Sequence, residues 1–294
     1  MKVAIYSQYP KKQSKDSLKA LTKELLEQGA SLFLEAEFFK DIKKELVNSS
    51  VYKIFKTLDK SFDLLVSIGG DGTILRAITF VKDLNIPIIG INTGRLGFLA
   101  TIQPEDIKQA IKNIYNKEYT ISKRTLLSIE TSPKNSDIKN LNFALNEIAV
   151  SRKNTTSMIT VETKLNGEFL TSYWSDGLII ATPTGSTGYS LSCAGPVITP
   201  DTTSFAITPI APHNLSARPL VIEDSTTIEL KVSGREDNYL VSLDSRIATL
   251  SNNTIITIKK APFAINMIEL NSESFLTTLR KKLLWGEDNR NLRF

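Results

Sequence analysis

Short apolar segments alternate with amphipathic segments through the first hundred residues, and this alternation constrains the fold most strongly. Four apolar segments are typical of strands buried on both faces of a parallel sheet. They are KVAIYS, ASLFLEAEF, FDLLVSI and IPIIGIN. The segments between them predict helices, namely KDSLKALTKELLEQG, DIKKELVNSSVYKIF and TILRAITFVKDL. Such alternation predicts an open, Rossmann-like α/β domain.

The pattern changes after about residue 100. One more helix is predicted in PEDIKQAIKNIYNKEY, and strand patterns then dominate to about residue 270. Asn166-Gly167 between alternating segments predicts a hairpin, and residues 226–260 predict a meander. The C-terminal segment ESFLTTLRKKLLWG predicts an amphipathic helix that must bury its apolar face.

These patterns predict two domains. The first is an α/β domain over residues 1–100, and the second is a β-rich, sandwich-like domain over residues 101–270. Residues 271–294 are expected to return to the first domain as a packed helix.

Composition excludes several classes of protein. One cysteine, Cys193, and one histidine, His213, leave no disulfide framework and no zinc site built from Cys or His. No apolar run reaches the roughly 20 residues that cross a bilayer, and the N-terminal stretch is too short for a signal peptide, so a cytoplasmic protein without a membrane partner is expected. The net charge of +5 comes from scattered Lys and Arg. It favours a solvated surface or small polyanionic ligands over nucleic acid.

A glycine-rich loop, Gly69-Gly70-Asp71-Gly72, lies between the strand FDLLVSI and a predicted helix. Ligands of open α/β sheets bind at the carboxyl ends of strands, and free N–H groups at a helix N-terminus suit an anion. A carboxylate inside a phosphate-binding loop has the wrong charge. The alternative is an ordinary tight turn in which Asp71 caps the helix.

Two further segments have a similar character. IIGINTGRLGFLA places Asn92, Gly94 and Gly97 after the next strand, where a plain pair of turns is the alternative. SDGLIIATPTGSTGYSLSCAGPVI combines glycines with many small hydroxyls, which suit recognition of hydroxyl and phosphate groups, and a surface loop is its alternative.

The pair Asn146-Glu147 supplies an adjacent amide and carboxylate, which suit a ribose diol or a base edge. Neighbouring side chains of a strand point to opposite faces, so the two reach one ligand only if a bulge or loop intervenes. Cys193 is interpreted as a small packing residue and His213 as a structural histidine.

Together these motifs resemble those of the NAD kinase family, whose members phosphorylate NAD to NADP with ATP. The motifs are GGDGT (69–73), NTGRLGFLA (92–100), NE (146–147), DGLIIATPTGSTGYSLS (176–192), PIAPHNLSARPLVI (209–222) and VSLDSR (241–246). Lipid kinases and phosphofructokinases carry loops similar to the first motif, whereas TPTGSTGYSLS is far more specific. The resemblance implies a nucleotide-binding first domain, an NAD-binding second domain, ATP as donor, Mg²⁺ as the metal, and a homodimer or homotetramer.

The resemblance also implies roles for individual residues. Asp71 is the catalytic carboxylate, and Gly72 lies beside it at the dinucleotide. The other NAD-binding residues would be Asn146, Glu147, Asp176, Thr187, Gly188, Tyr189 (stacking on a base), Ser190, Leu191 and Ser192. Candidate phosphate or ATP-binding residues are Gly69, Gly70, Thr73, Arg76, Asn92 and Gly94, and the metal ligands are unknown.

The chain departs from the family pattern at three places. The family often has alanine where Gly188 stands, and Gly-Gly-Pro where this chain has Ala194-Gly195-Pro196. The late turn is often Asp-Gly-Gln and is here Asp244-Ser245-Arg246, in which the arginine could serve a phosphate.

The implied reaction gives Asp71 a role that fits its charge. A carboxylate cannot strip a sugar hydroxyl of its proton in advance, but it can aim the hydroxyl and take the proton late in phosphoryl transfer. Two alternatives remain. A non-catalytic nucleotide sensor would not need a carboxylate at this loop, and a lipid kinase would need an apolar lining for its acyl chain.

Overall fold

The computed structural model describes residues 1–46, 48–154, 157–271 and 274–285. The chain divides into two compact units. The first is Met1–Lys123 with the C-terminal part from Ile265 onward, and the second is Arg124–Ala264.

The first unit is built on a parallel sheet with helices in the connections. Its strands are β1 (Lys2–Tyr6), β2 (Ser31–Glu35), β3 (Tyr52–Phe55), β4 (Leu64–Gly69) and β5 (Ile88–Asn92). Its first four helices are α1 (Lys12–Glu27), α2 (Ala36–Ile42), α3 (Asp71–Val81) and α4 (Ile107–Tyr115). The strand order is β5-β4-β1-β2-β3, all parallel. The α/β prediction is therefore confirmed.

One predicted helix is only partly present. In DIKKELVNSSVYKIF, α2 ends at Ile42, and Tyr52–Phe55 forms the edge strand β3. Val47 lies outside the described residues. The strand forms because Tyr52–Phe55 pairs in parallel register with β2, and such tertiary pairing overrides a weak local helical pattern.

The first unit extends beyond the predicted boundary at residue 100. The apolar face of α4, including Ile107, Ile111 and Ile114, joins the same core as Leu18 and Leu21 of α1. Because this face would be exposed without α1, the unit continues to Lys123 rather than ending at residue 100.

The second unit is a β-sandwich. Its elements are β6 (Tyr119–Ser132), α5 (Ser136–Lys139), β7 (Phe143–Ala144), β8 (Glu147–Arg152), β9 (Ile159–Leu165), β10 (Glu168–Ser175), β11 (Gly177–Ala181), α6 (Tyr189–Ser192), β12 (Ser204–Ile210), β13 (Leu220–Glu223), β14 (Ile228–Gly234), β15 (Asn238–Leu243), β16 (Arg246–Ser251) and β17 (Ile255–Leu270). Strand β6 begins and strand β17 ends in the first unit. One antiparallel sheet has the order β13-β12-β11-β8-β15-β16, and the other contains β10-β9-β14-β17. Their inner faces share one apolar core, which includes Val150, Phe205 and Leu230.

The turns of the second unit follow the sequence only in part. Asn166 and Gly167 adopt φ values of 51° and 84° and join β9 to β10, which confirms the predicted hairpin. The predicted meander is confirmed only for β15 and β16, which form an antiparallel pair joined at Asp244-Ser245. It is wrong for the other strands, because β14 pairs with β9 and β17 whereas β15 has β8 as its second partner. The turn after Gly234 moves the chain from one sheet to the other, and local turn signals cannot show which strand will be the partner.

The C-terminal helix packs in the first unit as predicted. Met267, near the end of β17, pairs in parallel with Ile88 of β5. Helix α7 (Phe275–Leu283) buries Leu279, and the ring of Phe275 lies 6.2 Å from that of Phe98. None of the helices within the described residues is long and apolar enough to cross a membrane.

Candidate active site

The loop after β4 lies at the switch point of the parallel sheet. The chain builds outward from β1 through β2 and β3, then returns to place β4 on the other side of β1. Ligands of open α/β sheets bind outside the carboxyl ends of the strands at such a point. The loop Gly69–Gly72 follows β4 there, and helix α3 begins at Asp71 with no side chain capping its N-terminus.

A second loop at the switch point was missed in the sequence. It follows β1 and leads to Lys11, the N-cap of α1, which likewise has no capping side chain and no acidic residue in its first turn. It contains no glycine, so its position after the first strand was the only available signal.

The carboxylate of Asp71 is held by the backbone of the segment after β5. The N–H of Phe98 donates to Oδ2 at 2.7 Å, and those of Leu99 and Ala100 donate to Oδ1 at 3.0 Å each. A carboxylate has about four acceptor positions. Three are filled, and the one left open belongs to Oδ2.

Two glycines are required by close packing around Asp71 and Thr73. A Cβ on Gly97 would lie 1.9 Å from Asp71 Oδ1. A Cβ on Gly69, whose φ is 156°, would lie 2.1 Å from the hydroxyl of Thr73. Both positions therefore require glycine, and the requirement comes from packing within the protein.

Asn92 is fully buried and holds the second loop in shape. Its Oδ1 accepts the N–H of Gly94 at 2.7 Å, and its Nδ2 donates to the carbonyls of Arg95 and Ala100. Its amide is therefore already satisfied, whereas Gly94 itself is exposed. Gly70, Gly72 and Arg76 are exposed as well.

Asn146 and Glu147 converge, contrary to the expectation for neighbours in a strand. Asn146 precedes β8, and its carbonyl accepts the N–H of Thr182 at 2.9 Å. A Cβ on Gly188 would lie 3.1 Å from Glu147 Oε2 and 3.4 Å from Asn146 Nδ2. Both side chains therefore reach one notch at Gly188.

One polar atom of each of these two side chains has no partner among the described residues. Asn146 Oδ1 and Glu147 Oε2 are buried without a hydrogen-bond partner. Such atoms are costly unless a ligand or water completes them. A ligand with hydroxyl or amino groups suits these two side chains.

Burial, helped by the nearby Asp244 carboxyl, raises the pKa of Glu147 to about 8 from an ordinary value near 4.5. The backbone N–H of Tyr189 opposes this rise. Burial also raises the pKa of Asp244, but three backbone N–H groups and Arg246 oppose it.

Glu147→Gln is expected to gain stability over the wild type as pH rises from about 5 to 8. In that range the unfolded chain has released the Glu147 proton while the native state still binds it, so the free energy of unfolding falls with rising pH. Glutamine removes that loss. Thermal unfolding at both pH values measures the difference. The exposed control Glu168→Gln should show no such gain in stability between pH 5 and pH 8. If Glu147→Gln also shows no gain over the wild type, the prediction is contradicted.

The turn after β15 is tied to the same segment. Asp244, whose side chain is 1% exposed, accepts the N–H groups of Leu145, Asn146 and Glu147. Arg246 donates to the carbonyls of Leu141 and Phe143. Its guanidinium is therefore engaged within the protein, which leaves little support for the phosphate contact considered from the sequence.

The hydroxyls of the Ser/Thr-rich segment divide into two groups. Thr182, Ser186 and Ser190 are fully buried and bond within the protein, Ser190 to Thr208 at 2.9 Å. These three hydroxyls therefore stabilise the loop and are not available to a ligand. The remaining predicted residues are partly or fully accessible, with Tyr189 44% exposed. They are Thr187, Gly188, Tyr189, Leu191 and Ser192.

Asp176 forms an ion pair with Arg152, with 2.9 Å between Oδ2 and Nη2. His213 is exposed, and its ring lies against that of Trp174 with 4.7 Å between centroids and an angle of 52° between the planes. Partial burial raises the pKa of the Cys193 thiol. Neither residue has the surroundings of an acid, base or nucleophile. Among the described residues no cluster of three or more His, Cys, Asp or Glu could hold a metal ion.

Comparison with known proteins gives one consistent family. The ATP-NAD kinase N-terminal domain model matches residues 9–119, and the C-terminal domain model matches residues 145–270. An NAD kinase of Flavobacterium psychrophilum is 58% identical over 99% of this chain and 100% of its own length. An NAD kinase of Bacteroides fragilis is 42% identical over the same shares.

Two solved structures have a similar fold. An Archaeoglobus fulgidus NAD kinase in complex with ATP superposes with a TM-score of 0.74 at 28% identity, covering 97% of this chain and 99% of that one. A yeast NADH kinase complexed with NADH superposes with a TM-score of 0.87 at 24% identity, covering 98% of this chain and 88% of that one.

Proposed function

The chain belongs to the ATP-NAD kinase family, and we propose that Asp71 is the group that receives the proton in its reaction. The enzyme transfers a phosphoryl group from ATP to NAD, giving NADP. The observation that supports Asp71 is the hydrogen bonding of its carboxylate, in which three N–H groups fix both oxygens and one acceptor position of Oδ2 stays open.

The proposed step transfers the γ-phosphoryl group of ATP and one proton. The 2′-oxygen of the adenosine ribose forms a bond to the γ-phosphorus of ATP while the bond from that phosphorus to the β,γ-bridging oxygen breaks. ADP leaves, and the hydroxyl proton passes to Oδ2 of Asp71. Because little bonding to the nucleophile develops before the leaving group departs, aiming the hydroxyl matters more than early deprotonation. The carboxylate therefore faces the acceptor rather than the phosphates.

The phosphates of ATP are assigned to the switch point of the first unit. The uncapped N-terminus of α3 and the exposed backbone at Gly70 and Gly72 provide N–H groups, and Arg76 on α3 adds a positive charge. Mg²⁺ typically binds through one or two carboxylates, substrate phosphates and water. ATP itself is proposed to supply most of its ligands. The ion would neutralise phosphate charge.

NAD is assigned to Asn146 and Glu147 with the accessible part of the segment 187–192. The two unpartnered side-chain oxygens, Asn146 Oδ1 and Glu147 Oε2, call for polar ligand groups, which a ribose diol or the adenine amino group supplies. The exposed ring of Tyr189 can stack on a base. Asp176 is retained as a contact through its accessible carboxylate.

The test is direct. Purified protein is incubated with NAD, ATP and Mg²⁺, and NADP is measured with an NADP-specific dehydrogenase. NADP formation that requires all three components is the expected result. Binding of both nucleotides without NADP would instead support a sensor. Replacing NAD by NADH, and ATP by GTP or polyphosphate, defines the breadth of acceptor and donor.

The oligomeric state is proposed from the family resemblance, and the location is the one expected from the sequence. A homodimer or homotetramer acting in the cytoplasm is proposed, and light scattering of the purified protein tests the oligomeric state.

A further inference from the structure

We propose that Asp244 is a positioning residue for NAD recognition, which sets the direction of the Asn146 and Glu147 side chains without touching the substrate. This proposal rests on the proposed function, since it assumes that these two side chains bind NAD. It assigns the late turn 244–246 to the construction of the site.

Asp244 binds three consecutive amides with one buried carboxylate. Oδ2 accepts the N–H of Leu145 at 3.0 Å, and Oδ1 accepts those of Asn146 and Glu147 at 2.8 Å and 3.3 Å. The N–H of Asp244 returns a bond to the carbonyl of Glu147 at 3.0 Å. The segment 145–147 is therefore held through its three N–H donors and through the carbonyl of Glu147.

This arrangement explains why the two neighbouring side chains converge. In a strand, successive residues alternate in direction, so three consecutive N–H groups cannot all face one carboxylate. Consecutive N–H groups that do share an anion form a concave nest, which requires a turn. The turn breaks the alternation just before β8, and Asn146 and Glu147 then reach the same notch at Gly188.

Arg246 holds the residues that precede this segment. Its guanidinium donates to the carbonyls of Leu141 and Phe143, lies 5.2 Å from the Phe143 ring and is 3.6 Å from Asp244 Oδ2. The late turn thus holds residues 141–147 in two ways. Arg246 donates to carbonyls at the start of this stretch, and Asp244 accepts N–H groups at its end. Arg246 is therefore assigned to positioning the backbone of residues 141–143, and not to binding a phosphate.

Asp244→Asn is the main variant. Asparagine tolerates the left-handed backbone of this residue, whose φ is 52°. Its amide keeps one acceptor oxygen but places an NH₂ group against an N–H donor and Arg246. The matched control is Asp224→Asn, which changes another buried aspartate of the second unit, one that pairs with Lys260 and lies outside the site.

The expected result is a rise of about ten-fold in the KM for NAD, the size expected from one lost charge-assisted hydrogen bond. The kcat at saturating NAD should stay within about three-fold of the wild-type value, and the KM for ATP should not change. The reason is that the variant weakens NAD binding equally in the ground state and the transition state. Amide hydrogen exchange at residues 145–147 should speed up. Asp224→Asn should lower stability without moving the KM for NAD.

A folded Asp244→Asn variant with wild-type KM for NAD overturns the proposal. If that variant does not fold, Arg246→Gln replaces it. The proposal then requires a higher KM for NAD at constant KM for ATP, and an unchanged KM for NAD rejects it. The proposed function fails separately, if wild-type protein makes no NADP. In that case calorimetric titration with NAD and the exchange of amides 145–147 still decide whether Asp244 sets the binding segment.

Discussion

Asp71→Asn is expected to lower turnover by about a hundred- to ten-thousand-fold, the range typical for loss of a positioned general base. The asparagine amide offers one acceptor oxygen in place of two, so it cannot keep all three backbone donors and also receive a proton at the former Oδ2 position. NAD affinity should change little, because the Asn146–Glu147 notch is built by other residues. Turnover at saturating NAD and ATP, with calorimetry for NAD binding, measures both effects.

The control for this prediction is Asp83→Asn, which changes an exposed aspartate of the same unit just after α3. It should keep full turnover. Near-normal turnover in a folded Asp71→Asn protein would remove Asp71 from the mechanism while leaving the family assignment intact.

Gly97→Ala is expected to reduce turnover almost as strongly, although the residue carries no reactive group. Its new Cβ would lie 1.9 Å from Asp71 Oδ1, so either the carboxylate or the loop must move. Overpacking of this kind costs about 1–3 kcal/mol of stability, and displacement of the carboxylate removes the alignment of the hydroxyl. Steady-state kinetics and thermal unfolding measure the two consequences.

Two comparisons show whether Gly97 acts through Asp71. The double variant Asp71→Asn, Gly97→Ala should be no slower than Asp71→Asn alone, since both changes disable the same group. Gly94→Ala provides a size-matched change in the same loop. Its Cβ would lie 3.9 Å from the nearest atom, Asn92 Oδ1, so its unfolding temperature should match the wild type. If the double variant instead loses turnover by the product of the two single losses, the proposed link between Gly97 and Asp71 is contradicted.

Several site residues could be found in the sequence, but their functions within the site could not. Asn92 follows a strand with glycine neighbours and looked like a phosphate contact, yet its amide is used up in holding the loop. Ser190 looked like a ligand donor and instead bonds to Thr208. A polar side chain in a glycine-rich loop has the same sequence signal whether it faces a ligand or the protein, because only its partners distinguish the two cases.

Local pattern alone determined the α/β and β-rich units, the Asn166-Gly167 hairpin, the returning C-terminal helix and the carboxylate after β4. These features depend on apolar periodicity and on backbone preferences, which act over a few residues. Tertiary structure alone decided what that carboxylate faces and how Asn146 and Glu147 converge. Asp71 takes its donors from 27 to 29 residues away, and Asp244 binds amides 97 to 99 residues away. Such partners meet only when strand order and register are complete, so no short stretch of sequence encodes them.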